Sequence, residues 1–226
     1  MKLVMTAVVA AACTLAHVAG PANSGYRTPE GRAQVAASLG ASDRDARQKP
    51  RELVAALELK PGMTVVDLGT GVGYMLPHLS AAVGAGGSVI AEDIQQDFLD
   101  KAKAKARQEH LDNVQFVLGT DRDPRLTAGS ADLILVLDAY HHFDYPEQML
   151  ARLSEALKPS GRLAIVEYYK RRGAMGTGDP DRAISHIRLD AGGVVTEVEA
   201  NGFRLLKRQE HVLGSQYIAV FEKKRM

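Results

Sequence analysis

Apolar residues along the chain fall into short, near-continuous runs separated by stretches of helical period. Thr64–Leu68, Val89–Asp93, Val114–Leu118, Asp132–Leu137 and Leu163–Tyr168 read as strands. Asp132–Leu137 is apolar almost throughout, the pattern of a strand buried on both faces. Between the runs, Gly73–Val83, Gln96–Glu109 and Pro146–Leu157 carry helical spacing. Strand and helix alternate, which predicts an α/β fold with a parallel sheet. Arg204–His211 and Gln216–Glu222 have no helix between them, which predicts an antiparallel pair. Upstream, Thr28–Gly31 opens a short helix that Ala33–Leu39 continues, and Pro50–Leu59 is amphipathic through Leu53, Val54, Leu57 and Leu59. Pro21–Gly25 reads as a linker. Lys170–Asp190 is a long glycine-bearing connection, which in a single domain marks a functional lid or disorder.

The first strand runs into Gly69-Thr70-Gly71-Val72-Gly73. Glycines at alternate positions allow a tight turn and the close approach of a ligand where a Cβ would collide. Asp93 closes the second strand about 20 residues later, the offset at which an acid meets ribose hydroxyls. The turn and the acid together point to an adenosine-containing cofactor. Nicotinamide and flavin sites show G-x-G-x-x-G, and Tyr74 stands here in place of the third glycine. A phosphate-cradling loop would end in Gly-Lys-Ser/Thr, which is lacking.

These residues resemble the class I SAM-dependent methyltransferases, over roughly Pro50 to Lys223. Asp67, Gly69, Gly71 and Gly73 match the family's first motif, and Asp93 its ribose acid. Leu135–Phe143, with Tyr140-His141-His142, resembles the segment after strand four in small-molecule members. Lys158-Pro159-Ser160-Gly161 resembles the turn into strand five. The resemblance implies a Rossmann-like, doubly wound, mostly parallel seven-stranded sheet with a C-terminal antiparallel hairpin. It also implies S-adenosylmethionine (SAM) as cofactor. Arg47–Glu52, Asp123-Pro124-Arg125-Leu126 and His186-Ile187-Arg188 further resemble a group of bacterial predicted methyltransferases that often carry an export signal.

Composition narrows the partners. The chain has 226 residues and a net charge of +1. A single α/β domain accommodates that length, and no clustered basic face marks a nucleic-acid partner. Lys101, Lys103, Lys105 and Arg107 spread around a helix and read as a solvated face. The one cysteine, Cys13, excludes a disulfide and a cysteine metal site in the domain. Assembly state leaves no mark in the sequence. Met1-Lys2 followed by an apolar run from Leu3 to Ala19 has the form of a signal peptide or membrane anchor. Residues 1–22 are therefore expected to be a leader and residues 23–226 the methyltransferase domain. The protein is then exported, periplasmic or membrane-attached, and cytoplasmic only if the leader is not functional.

Methyl transfer from a sulfonium requires a nucleophile held in line with the methyl, sometimes with a base beside it. By the resemblance, Asp67, Gly69, Thr70, Gly71, Gly73, Asp93, Ile94, Thr120, Asp121 and Asp138 hold the cofactor. Glu92 is the runner-up to Asp93, on the opposite face of the strand. His141 is the candidate base or orienter of the substrate, with His142 and Tyr140 beside it at the carboxyl end of the fourth strand. No third ligand has metal-site spacing to the histidine pair, so no metal is expected. His186 and Arg188 are candidates on the lid. The acceptor is expected to be a small molecule. The competing possibility is a non-catalytic exported protein that uses the same fold to bind another nucleoside or metabolite.

Overall fold

The computed structural model describes residues 18–176 and 178–224. The leader falls largely on residues 1–17, outside the described residues. Seven strands form one sheet: β1 (Thr64–Leu68), β2 (Ser88–Asp93), β3 (Val114–Leu118), β4 (Ala131–Leu137), β5 (Leu157–Tyr168), β6 (Phe203–Val212) and β7 (Gln216–Lys223). Their order is β3-β2-β1-β4-β5-β7-β6. The strands from β1 to β5 pair in parallel, whereas β7 runs antiparallel to both β5 and β6. This is the Rossmann-like, doubly wound sheet with a C-terminal hairpin that the sequence predicts. The chain reverses its winding between β1 and β4, and ligands bind at the carboxyl ends of strands beside such a switch point.

Both faces of the sheet are covered. On one face, Val65, Val89, Leu133 and Val166 pack against α3 (Pro50–Leu57), α4 (Leu76–Val83) and α5 (Gln96–Gln108). On the other, Val66, Ile134, Val136 and Ile165 pack against α6 (Pro146–Ala156) and α8 (Ala191–Ala200). The central strands are largely apolar because neither face meets water, and the acids Asp67, Glu92 and Asp93 fall near their carboxyl ends.

Several helices start where their sequences direct. Pro29 opens α1 (Pro29–Leu39) behind Thr28, whose Oγ1 accepts from the Gly31 N–H at 3.1 Å. Pro50 opens α3 without a side-chain cap, directly after α2 (Arg44–Gln48). Lys105 and Arg107 close α5, where cations favour the helix C-terminus.

Three boundaries differ from the sequence-based expectation. Helix α4 begins at Leu76 rather than Gly73, because Gly73 lies at a φ of +81° and belongs to the turn. Strand β5 begins at Leu157, which pairs with Ala131 ahead of an irregularity in the register. Pro21–Gly25 is not a free linker: Ala22–Tyr26 is a 3₁₀ turn, and Ala19 and Ala22 are buried. Within the glycine-bearing connection, α7 (Arg182–His186) packs through Ala183 and Ile187 onto Ala174. Among the described residues no helix is long and apolar enough to cross a membrane.

Candidate active site

A cavity of about 860 Å³ opens over the carboxyl ends of β1, β2 and β4. Its floor is the turn after β1. Gly69 has a φ of +71°, and a Cβ there would come within 2.9 Å of the Ala139 methyl. Gly71 also lies at positive φ. Thr70 donates its hydroxyl to Asp67 Oδ2 at 2.6 Å, so the buried Asp67 braces the turn from below. Burial lifts the Asp67 carboxyl to about 6, although the Thr70 bond pulls it down.

The wall beyond this turn is acidic. Asp93 Oδ2 accepts from the Gly71 N–H at 2.9 Å, and Oδ1 accepts from the Gln95 N–H at 2.8 Å. Burial raises Asp93 to about 6 against those bonds. Each carboxylate oxygen keeps a lone pair for a further donor. Glu92 lines the cavity as well, whereas strand alternation places it on the opposite face. Its Oε2 takes a long 3.4 Å bond from Gly69 N–H, and its Oε1 is buried without a partner. Burial, and next the Asp93 charge, push Glu92 well above the usual carboxylate range. A Cβ at Gly119 would collide with Glu92 Oε1, so a glycine at that position makes room for the acid. Ile94, Thr120 and Asp121 continue the wall. Thr120 Oγ1 accepts from the Asp123 N–H at 2.9 Å and shapes the loop after β3.

At the end of β4, Asp138 sits at a φ of +52°. It accepts from the Gln48 amide and, at 2.7 Å, from Gln216 Nε2. Burial, with the charge of Glu167 next, raises it to about 6. Gln48 also donates to Tyr168 Oη at 3.2 Å. The cavity is roofed by Leu39, Arg44 and Tyr26 from the N-terminal segments. Arg44 is buried and stacks over the Tyr74 ring at 4.0 Å. Tyr26 is pushed up to about 12, first by burial and then by Asp93 and Asp138.

The residues after β4 separate by role. His142 lines the cavity. Its Nδ1 lies 2.8 Å from Asn23 Oδ1, and Tyr26 Oη lies 3.4 Å from its Nε2. Burial, and then the neighbouring His141 and His186, hold His142 well below the usual histidine range. His141 lies behind it and is buried, with Nδ1 at 2.6 Å from Glu167 Oε2. Tyr140 points elsewhere: its hydroxyl donates to Glu197 at 2.6 Å, and Arg188 pairs with the same carboxylate. The geometry therefore puts His142, rather than His141 or Tyr140, against the cavity. His186 on α7 packs edge-on to both histidines, with centroid separations of 4.9 and 5.5 Å.

Asn23, Tyr26, Arg44, Gln48, Glu167 and Gln216 were not singled out as site residues by the sequence. Gln48 lies in the Arg47–Glu52 segment that resembles the narrower methyltransferase group, which is the one signal that pointed to it. The others are joined to the site by contacts distant in sequence, which no local pattern records.

Residues 65–161 match a family described as a methyltransferase domain. The chain is 30% identical over 119 residues to nocamycin O-methyltransferase of Saccharothrix syringae, covering 53% of this chain and 42% of that protein. It is 32% identical over 108 residues to demethylmenaquinone methyltransferase of Lactococcus lactis subsp. lactis, covering 47% of this chain and 42% of that protein. It thus spans less than half the length of these curated relatives. The crystal structure of a SAM-dependent methyltransferase from Aquifex aeolicus superposes with a TM-score of 0.76 at 27% identity, covering 83% of this chain and 96% of that one. The fold and these likenesses imply SAM as the cofactor and support a SAM-dependent methyltransferase.

The residues present fit that cofactor. Gly69 and Gly71, at positive φ, bring bare backbone to the cavity, and the orphaned Glu92 Oε1 calls for a hydrogen-bond donor. The cavity volume lies within the range of small-molecule sites.

Proposed function

We propose that the chain catalyses transfer of the SAM methyl group to a small-molecule acceptor held at the His142 end of the cavity. The observation that carries this is the Gly71–Asp93 bond, which ties the glycine turn to the acid that ends β2, beside the unpartnered Oε1 of Glu92. SAM supplies an electrophilic methyl on a sulfonium. Asp93 and Glu92 would take the ribose hydroxyls, and Ile94, Thr120 and Asp121 would flank the adenine. Asp138, held by Gln48 and Gln216, sets a negative charge beside the turn that suits the cofactor's amino group. Arg44 and Tyr26 close the roof, which excludes water from the reacting atoms. His142, kept neutral by burial, can accept a hydrogen bond from the acceptor and orient it. Two relatives named as methyltransferases of small molecules support this class of acceptor.

Incubation of the protein with methyl-tritiated SAM and a panel of phenols, hydroquinones and alcohols tests the proposal. Radiolabel is expected on at least one acceptor, and His142→Ala is expected to cut the rate about 10²-fold or more. SAM binding without transfer to any of a broad panel would favour the non-catalytic binding protein instead. With this function we propose that the leader directs the protein to the periplasm or anchors it in the membrane. N-terminal sequencing of the chain recovered from the cell envelope checks that proposal.

A further inference from the structure

His141, His142 and His186 each present a ring nitrogen within 4.8 Å of the other two. Packing three imidazoles together gains little in apolar burial for so many polar atoms. Their hydrogen bonds suggest another purpose. His141 Nδ1 stands 2.6 Å from Glu167 Oε2. The Glu167 carboxylate accepts, so Nδ1 carries a proton, and Nε2 is the nitrogen the ring can turn to an ion. His142 Nδ1 faces Asn23 Oδ1 at 2.8 Å, and the same reasoning leaves its Nε2 as a lone pair. His186 makes no hydrogen bond among the described residues. Both rings thus have Nδ1 fixed by an oxygen acceptor, and His142 Nε2 meets only the Tyr26 hydroxyl, at 3.4 Å, which an ion would displace; an oxygen acceptor on one nitrogen is the arrangement that orients imidazole ligands around a metal.

We infer that His141, His142 and His186 form a three-histidine site for a divalent transition-metal ion of the Zn²⁺ class, beside the acceptor end of the cavity. Three nitrogen ligands leave a fourth position open, as catalytic rather than structural zinc sites do. Two bonds of about 2.1 Å at a tetrahedral angle set ligand atoms about 3.4 Å apart. The 4.8 Å limit on the present spacing exceeds that value by about 1.4 Å, so His186 has to move towards the other two rings as the ion binds. Helix α7 is the element suited to such a shift, since it belongs to the connection that holds Gly173, Gly176 and Gly178 at positive φ. The inference rests on and deepens the methyltransferase proposal: with an ion bound, its open position takes over from the His142 lone pair and holds the acceptor through a coordinating oxygen. Metal binding itself does not depend on that proposal.

The test is titration of the full chain, stripped of metal by chelator, with Co²⁺ followed by visible absorption and with Zn²⁺ followed by calorimetry. One equivalent is expected to bind, with the visible bands of four- or five-coordinate Co²⁺. His186→Ala is expected to lose those bands and at least about tenfold in affinity. The thermal midpoint and SAM affinity of that variant are expected to match the wild type, which shows that it folds. Absence of saturable binding by the wild type, or unchanged affinity in His186→Ala, overturns the site. SAM titration reads the glycine turn and metal titration reads the histidines, so failure of one claim leaves the other standing.

Discussion

Asp93 meets two demands at once. Its oxygens hold the Gly71 and Gln95 N–H groups, yet burial keeps its carboxyl at about 6 rather than its ordinary 3.8. A raised folded-state value means that this group's share of stability is complete below pH 3.8 and is lost as pH rises through about 6. At neutral pH the ionised form costs about 3 kcal/mol, offset by whatever donors a ligand brings. Asp67 and Asp138 lie in the same direction. The SAM-free protein is therefore expected to lose thermal stability between pH 4 and pH 6.5, and Asp93→Asn to reduce that loss. At pH 7.5 the variant is expected to be more stable by about 2 kcal/mol, after about 1 kcal/mol for one weakened backbone bond. Denaturation followed by circular dichroism at both pH values checks this; a variant no more stable than wild type at pH 7.5 would speak against it. The glycines and Asp93 were legible in the sequence because their spacing is local. The cavity-lining position of Glu92 was not, since it depends on the Gly69 N–H and on the room that Gly119 leaves, contacts that no local pattern records.

At the scale of elements, strand and helix positions followed from hydrophobic runs long enough to bury, and most boundaries lie within a few residues of expectation. The N-terminal segments were the harder part. Helix α2 has five residues and a charged sequence, yet it delivers the buried Arg44 to the cavity and the buried Gln48 to Asp138. The 3₁₀ turn Ala22–Tyr26 carries no hydrophobic period. It is fixed by Asn23 Nδ2 donating to the His142 carbonyl and to Asp144, and by the Ala19 N–H donating to Asp144 Oδ1 at 3.0 Å. Those partners lie more than a hundred residues away, beyond the reach of any local pattern. The contacts bear on where the leader proposed above would be cut. Cleavage before Asn23 would remove the Ala19 bond and the buried Ala19 and Ala22 side chains. The mature chain is accordingly expected to keep Ala19, whether cut further upstream or retained as an anchor. N-terminal sequencing that finds Asn23 first would contradict this.

For the whole molecule, the sheet reversal between β1 and β4 gathers the glycine turn, two acids and the histidine cluster at one edge, although they are spread along most of the chain. The fold alone does not decide chemistry, because one architecture hosts many reactions. What decides is whether this edge binds SAM through the residues assigned to it. Calorimetric titration of SAM into the full chain, beside Asp93→Ala, tests this most directly. The account predicts saturable binding at one site by the wild type and a loss of about tenfold or more in the variant, with the fold intact. A folded wild-type protein that does not bind SAM, or a variant that binds it equally well, would contradict the account.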